Sequence, residues 1–414
     1  ELGIYYPPKS GTLTISDSEI TGVTGIVVKG SNLVVKGEKT IISGTGPNVD
    51  PETYYTGATD GSSTLTETGD ALYIESGYND RDISVSISGG HLNSKSAKAV
   101  RMFVKNGENT SAKREISVTG GTFSSDVSAY VAEGYVQNEN GTVEQLGETN
   151  AVAKIDDTYY KTLADAVAAA NDGKTVTLLK NVVLNSTLTL NKSMTLDLNG
   201  CKISNGSTMG TDYLVSIAAN ADVSIVGNKE NSKISDSRSN AQGTITAVVV
   251  YGKLTVAGDN LTISRGANGI AIKVEDNPGT LIVNGGTITV DKPTKTSSQA
   301  IQNWGNATIN SGVFNGDVDS YAYIAANKNY VGNMTIENGI FNGEVFAAQL
   351  QYNNQWPTAS ARVAITGGNF KGIIAEYYHD STKGLQPVEN VSKPANTAES
   401  EVVVSGGYFT TDPS

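Results

Sequence analysis

The chain has 414 residues, 45 of them Gly and only 10 Pro, with 30 basic against 42 acidic side chains and a net charge of −12. That surplus of acid excludes a general nucleic-acid binder and disfavours docking on anionic lipid, because both need Lys and Arg in excess. A single cysteine, Cys201, excludes an internal disulfide and a Cys-based zinc site, two histidines leave little for a His-rich one, and no apolar run approaches the ~18 residues of a membrane span.

The chain opens at Glu1 without a signal peptide and in mid-repeat, at Leu2-Gly3-Ile4-Tyr5-Tyr6, and reads as a processed or engineered piece of a longer polypeptide. One pattern then recurs: a short alternating strand, a Gly pair, and an apolar residue two positions on. Copies stand at 83–92, 116–123, 281–288, 363–370 and 402–409, with weaker ones at Ser311-Gly312 and Asn338-Gly339. Gly89 to Gly120 is 31 residues, Gly285 to Gly312 is 27, and Gly367 to Gly406 is 39. Alternation at period two with many β-branched residues predicts strands, and a repeat of this length predicts a solenoid. The expected fold is all-β, a right-handed parallel β-helix, with inward side chains in apolar columns and successive coils at ~4.8 Å. A propeller would show more Asn-Gly hairpin signals between paired strands.

Residues 126–149 read as a segment that closes one module and joins it to the next. The pattern predicts one helix, over 162–171: Thr162 is the N-cap with Asp165 three residues on, Leu163, Ala166, Val167 and Ala170 share a face, and Gly173 supplies the stop. Such a helix covers the open end of an apolar solenoid, so two tandem modules are expected: 1–149, the last coils of a first β-helix with its closing segment, and 150–414, a second with an N-terminal cap. The closing phrase Gly120-Gly121-Thr122-Phe123-Ser124-Ser125-Asp126 returns as Gly406-Gly407-Tyr408-Phe409-Thr410-Thr411-Asp412. Phe314, Phe341 and Phe370 are expected to point inward and stack, each followed by a corner glycine of positive φ, Gly316, Gly343 and Gly372.

The phrases at 3–15, 120–130, 162–170 and 195–200 give the chain a likeness. It resembles large secreted surface proteins of Gram-positive gut bacteria that carry pectin-lyase-like right-handed β-helix domains. The resemblance covers nearly the whole chain. It implies a cell-surface or cell-wall location, an adhesin-like or carbohydrate-associated role, and further domains in the same polypeptide.

Because that fold includes pectate lyases and polygalacturonases, an enzyme has to be weighed. Asp156-Asp157 is the sole Asp-Asp pair and lies at the start of the second module; Gly-His-Gly and Arg-Ile-Lys, which mark polygalacturonase-like hydrolases, do not occur. No pair of carboxylates on neighbouring coils matches glycoside hydrolysis, and no catalytic residue is assigned. Asp80-Arg81-Asp82, Asp236-Ser237-Arg238 and Asp317-Val318-Asp319 read as solvated turns, and Cys201 as a small buried residue. No cofactor is expected, with Ca²⁺ on clustered carboxylates the one metal left open. The strongest site signal is aromatic. Trp304, Tyr330 and Trp356 are spaced by 26 and 26, and Tyr352 and Tyr378 by 26, with Tyr377 beside them. Flat rings in rows bind sugars by stacking, with Asn303, Asn329, Asn353, Asn354 and Gln355 as polar partners, although such rings also serve to pack loops. The expected function is a non-catalytic surface adhesin contacting glycans or host glycoproteins; the alternatives are a polysaccharide lyase or hydrolase of the same fold, and a structural spacer.

Overall fold

The computed structural model describes residues 1–57, 64–76, 82–104, 112–238, 245–266, 269–276, 279–291, 298–326, 328–380, 384–387 and 395–410. Asp80 and Arg81, and Thr411 and Asp412 of the closing phrase, lie outside them. Strands dominate, and the chain divides into two compact units, Glu1–Asn150 and Ala151–Ser414.

In the first unit, successive passes of the chain lie in parallel on one another. Ile4–Tyr6, Ile26–Lys29, Leu72–Ser76 and Val100–Val104 form one ladder. Thr12–Ser16, Asn32–Lys36, Ile83–Ser94 and Arg114–Phe123 form a second, with Glu19–Gly22 and Ile41–Gly44 alongside. Period-two alternation sends Leu33, Val35, Val85, Ile87 and Val118 inward, where all are buried. An antiparallel hairpin, Tyr135–Gln137 with Thr142–Gln145, then covers the last tier, placing Val143 beside Gly121.

Ile26, Val27 and Val28 are buried without alternation, because the outward face of their ladder is covered too. The cover includes a second helix, Pro51–Gly57, which the repeat pattern hid. Asp50 caps it by accepting from the Thr53 amide at 3.1 Å, and Pro51 needs no amide partner in the first turn. Beneath it, Lys29 pairs with Glu75 at 2.7 Å, and the Tyr55 and Tyr73 hydroxyls donate to the same carboxylate at 2.8 and 2.6 Å.

The second unit repeats the arrangement. Met194–Asp197, Asp222–Val226, Lys253–Ala257, Thr280–Val290, Asn306–Asn315, Asn333–Ile336, Arg362–Ile365 and Glu401–Val404 pair in parallel in that order. So do Leu188–Leu190, Tyr213–Ile217, Thr246–Val250, Ile270–Val274, Gln299–Asn303, Asp317–Ala325, Val345–Leu350 and Ile374–Asp380. One apolar core runs between these ladders. Its first tier is covered by the hairpin Ala153–Ile155 with Thr158–Tyr160 and by the helix Leu163–Ala169. Thr162 caps that helix, accepting from the Asp165 amide at 3.0 Å, and Leu163, Ala166, Val167 and Ala170 are buried.

Phe314, Phe341, Phe370 and Phe409 stack in one column, their ring centroids 4.8, 4.6 and 5.1 Å apart. Of the glycines after three of them, one meets the expectation and two do not. Gly316 has positive φ, but Gly343 and Gly372 do not. They are glycines because a Cβ on Gly343 would run into the Gly316 carbonyl, and one on Gly372 into the Gly343 carbonyl. The left-handed position is the second glycine of each pair, as at Gly90, Gly121, Gly368 and Gly407.

Candidate aromatic site

All the candidate rings but Tyr378 sit on the outward face of the second unit's smaller ladder or on the segments beside it. Trp304 follows the strand Gln299–Asn303 and stacks on Tyr321 at 5.0 Å, with its edge partner Tyr323 at 4.9 Å. Tyr321 and Tyr323 are two apart on Asp317–Ala325, so the pleat aims both outward. Tyr323 is the cross-strand partner of Tyr330 on Lys328–Val331, and their rings stack at 4.7 Å. It also meets Tyr352 at 5.9 Å. Three of the proposed residues, Trp304, Tyr330 and Tyr352, thus meet through a ring the spacing did not single out. The signal was present in the alternation Tyr321-Ala322-Tyr323.

Tyr352 is 46% exposed. It is held by a two-residue turn, with Tyr352 and Gln355 exchanging backbone hydrogen bonds of 2.9 and 2.8 Å around Asn353 and Asn354. Both asparagines have positive φ, 48° and 60°, the demand of the tight hairpin turn that Asn meets with least strain after Gly. The Lys328 ammonium lies 5.0 Å over the Tyr330 ring. Burial and the carboxylate of Asp276 push the Tyr323 hydroxyl up to about 12, so it remains a neutral donor at physiological pH.

The other three proposed residues do not join this corner. Tyr377 and Tyr378 are neighbours in sequence, yet the pleat sends them to opposite faces. Tyr377 packs on Phe346 at 5.2 Å and its hydroxyl donates to Glu344 at 3.4 Å. Tyr378 faces inward and is fully buried, edge-on to Trp356, itself only 8% exposed. The step of 26 therefore joins one outward ring to one inward ring, because the tiers carry connections of unequal length. Among the polar partners, Asn303 is buried and committed to Ser320 and the Asn333 carbonyl, and Asn329 bonds Thr358.

The acidic motifs also resolve. Asp156 lies in the hairpin turn and pairs with Lys174 in solvent. Asp236 is buried and paired with Arg238, not solvated. Asp319, also expected in solvent, is fully buried under Tyr321 and Phe346, and neither carboxylate oxygen has a hydrogen-bond partner. Burial, then the nearby Asp317, hold its pKa well above the usual carboxylate range. Cys201 is half-buried against the core, and burial pushes its thiol up. Two surface grooves, of 550 Å³ along 123–128 and 137–141 and of 470 Å³ over the glycine turns at Gly285, Gly312 and Gly339, share no lining residue with the aromatic corner. Among the described residues, no group of three or more His, Cys, Asp or Glu side chains is placed to hold a metal, and no helix is long and apolar enough to cross a membrane.

Compared with family models, with curated proteins and with solved structures, the chain matches none.

Proposed function

We propose that this chain is a non-catalytic, glycan-contacting surface protein built from two right-handed parallel β-helix modules, and that its contact site is the corner of Trp304, Tyr323, Tyr330 and Tyr352. The β-helix reading draws on the two parallel ladders of each unit and their stacked inward columns. A secreted, cell-wall-associated location follows from the resemblance to Gram-positive gut surface proteins.

The observation that carries the binding role is the exposure of Tyr352 on its Asn-Asn turn beside two further rings. Held there by its hairpin turn, the half-exposed ring offers a sugar a stacking face and a hydroxyl. The purified chain is to be screened on a glycan and mucin array, with and without Ca²⁺, and the same panel assayed for cleavage. Binding without product release is expected, and Tyr330→Ala and Tyr352→Ala each weaken it by about tenfold. Unchanged binding by both variants removes the site. Release of shortened or unsaturated sugars moves the protein to the lyase or hydrolase class.

A further inference from the structure

Asparagine followed by glycine is chemically labile, because glycine has no side chain to keep its backbone nitrogen from the asparagine Cγ. The sequence holds nine such pairs, and without Asn106 and Asn268, which lie outside the described residues, seven remain. The fold treats them differently. In three pairs the glycine amide is committed elsewhere: Gly141 donates to the Asn138 carbonyl at 2.9 Å, Gly200 to Ser232 Oγ at 3.0 Å, and Gly206 to the Leu184 carbonyl at 2.7 Å. In three more the asparagine side chain is held by a neighbouring tier. Asn284 Oδ1 accepts from Asn310 Nδ2 at 2.7 Å, and Asn342 Nδ2 donates to Asn315 Oδ1 at 2.6 Å.

Asn338 is the seventh. The Gly339 amide donates to Asn338 Oδ1 itself at 2.9 Å. Cγ is one bond from Oδ1, so this contact brings the reacting carbon up to the reacting nitrogen before any reaction occurs. Glu337 and Asn338 are both exposed, which gives water access to the turn. The core also keeps the glycine in place. A Cβ on Gly339 would lie 3.0 Å from the Phe341 ring and 3.2 Å from that of Phe314, so the phenylalanine column demands the residue that makes Asn338 labile.

We propose that Asn338 is a site of spontaneous modification, at which the side chain closes on the Gly339 nitrogen and becomes aspartate and isoaspartate. The Gly339 nitrogen loses its proton and attacks Cγ. The N–Cγ bond forms, the Cγ–Nδ2 bond breaks, and the side-chain nitrogen leaves as ammonia with the proton that the backbone gave up. Water then opens the five-membered imide. Opening at Cγ gives aspartate, and opening at the backbone carbonyl gives isoaspartate. One water enters, one ammonia leaves, and nothing is oxidised or reduced. Either product places a new carboxylate in the 470 Å³ groove, which Asp259 also lines. The isoaspartyl form adds a methylene to the backbone just before Gly339, whose carbonyl takes the Asn369 amide of the next tier at 2.8 Å.

The whole protein is to be aged at mildly alkaline pH and digested. Each Asn-Gly pair is then followed by mass and by fragmentation that separates the aspartyl from the isoaspartyl product. Asn338 is expected to convert roughly tenfold faster than any of the other six. Its rate rises with pH, because the attacking nitrogen must first lose its proton. In denaturant the seven rates are expected to fall together, since the fold creates the difference. An Asn338 rate within the range of the other six in the native protein overturns the inference. So does a lead of the same size in denaturant, which would belong to the local sequence and not to the turn.

Discussion

A carboxyl group taken wholly out of water with nothing to bond keeps its proton, because the charged form has lost its hydration and gained no partner. Asp319 is in that position, with Asp317 adding repulsion. Its folded pKa lies above the unfolded value of ~3.9, so above that pH the native state holds a proton that the unfolded chain has released. Stability is therefore lost as pH rises from about 4 toward the raised pKa, by up to ~1.4 kcal/mol per pH unit. Asp319→Asn removes this loss: its urea midpoint is expected to stay flatter than the wild type's between pH 4 and 7 and to exceed it at pH 7. Parallel pH profiles for the two proteins dispose of the idea. Nothing in the sequence foretold this burial. Asp317-Val318-Asp319 has the composition of a surface turn, and its cover is completed only by strand pairing, which sets Phe346 beside it next to Tyr321 of its own strand. The same limit split the aromatic series: spacing found Trp304, Tyr330 and Tyr352, but only strand pairing shows that Tyr323 joins them and that Tyr378 faces the core.

At the scale of the element, most of the architecture was written in local pattern. Alternation gave the strands, and Thr162 with Asp165 gave the helix start, whereas the left-handed turn fell on the second glycine of each pair, which the pattern did not assign. The helix Pro51–Gly57 escaped because Pro51, Thr53, Thr56 and Gly57 are poor helix formers, whereas the equally short Leu163–Ala169 is built largely of Ala and Leu, and only Asp50-Pro51 marked it. The glycines after the Phe column were found for the wrong reason: close approach, not positive φ, excludes a side chain at Gly343 and Gly372. That distinction is measurable. Gly343→Ala forces backbone apart and is expected to cost ~1–3 kcal/mol, and Phe341→Ala, from the middle of the column, ~3–5 kcal/mol. Gly210→Ala, where an added Cβ meets nothing within 4 Å, leaves the denaturant midpoint within error of the wild type. Equal effects at Gly210 and Gly343 contradict the close-approach account.

Over the whole molecule, a strand paired on both sides is held by more neighbours than a strand paired on one, so it opens less readily. Native-state hydrogen exchange reads this directly. Amides of Asn306–Asn315, paired on both sides, are expected to exchange at least tenfold more slowly than those of Glu401–Val404, paired on one. A uniform rate along the second unit denotes a single cooperative block instead. The chain divides into its two compact units where the repeat is broken, after Asn150. The aromatic corner was fainter in the sequence, because it is assembled from turns and strand pairings whose positions the repeat does not fix.

The unequal connections between tiers have an evolutionary and practical side. Between Ile365 and Val404 the chain gains a long excursion, yet Val402, Val404 and Phe409 still land on Val363, Ile365 and Phe370. The ladder is indifferent to what is spliced into its corners. New loops can be acquired, lost or exchanged without retuning the core, and a foreign peptide grafted into such a corner would be carried as cargo by a scaffold that does not register its length.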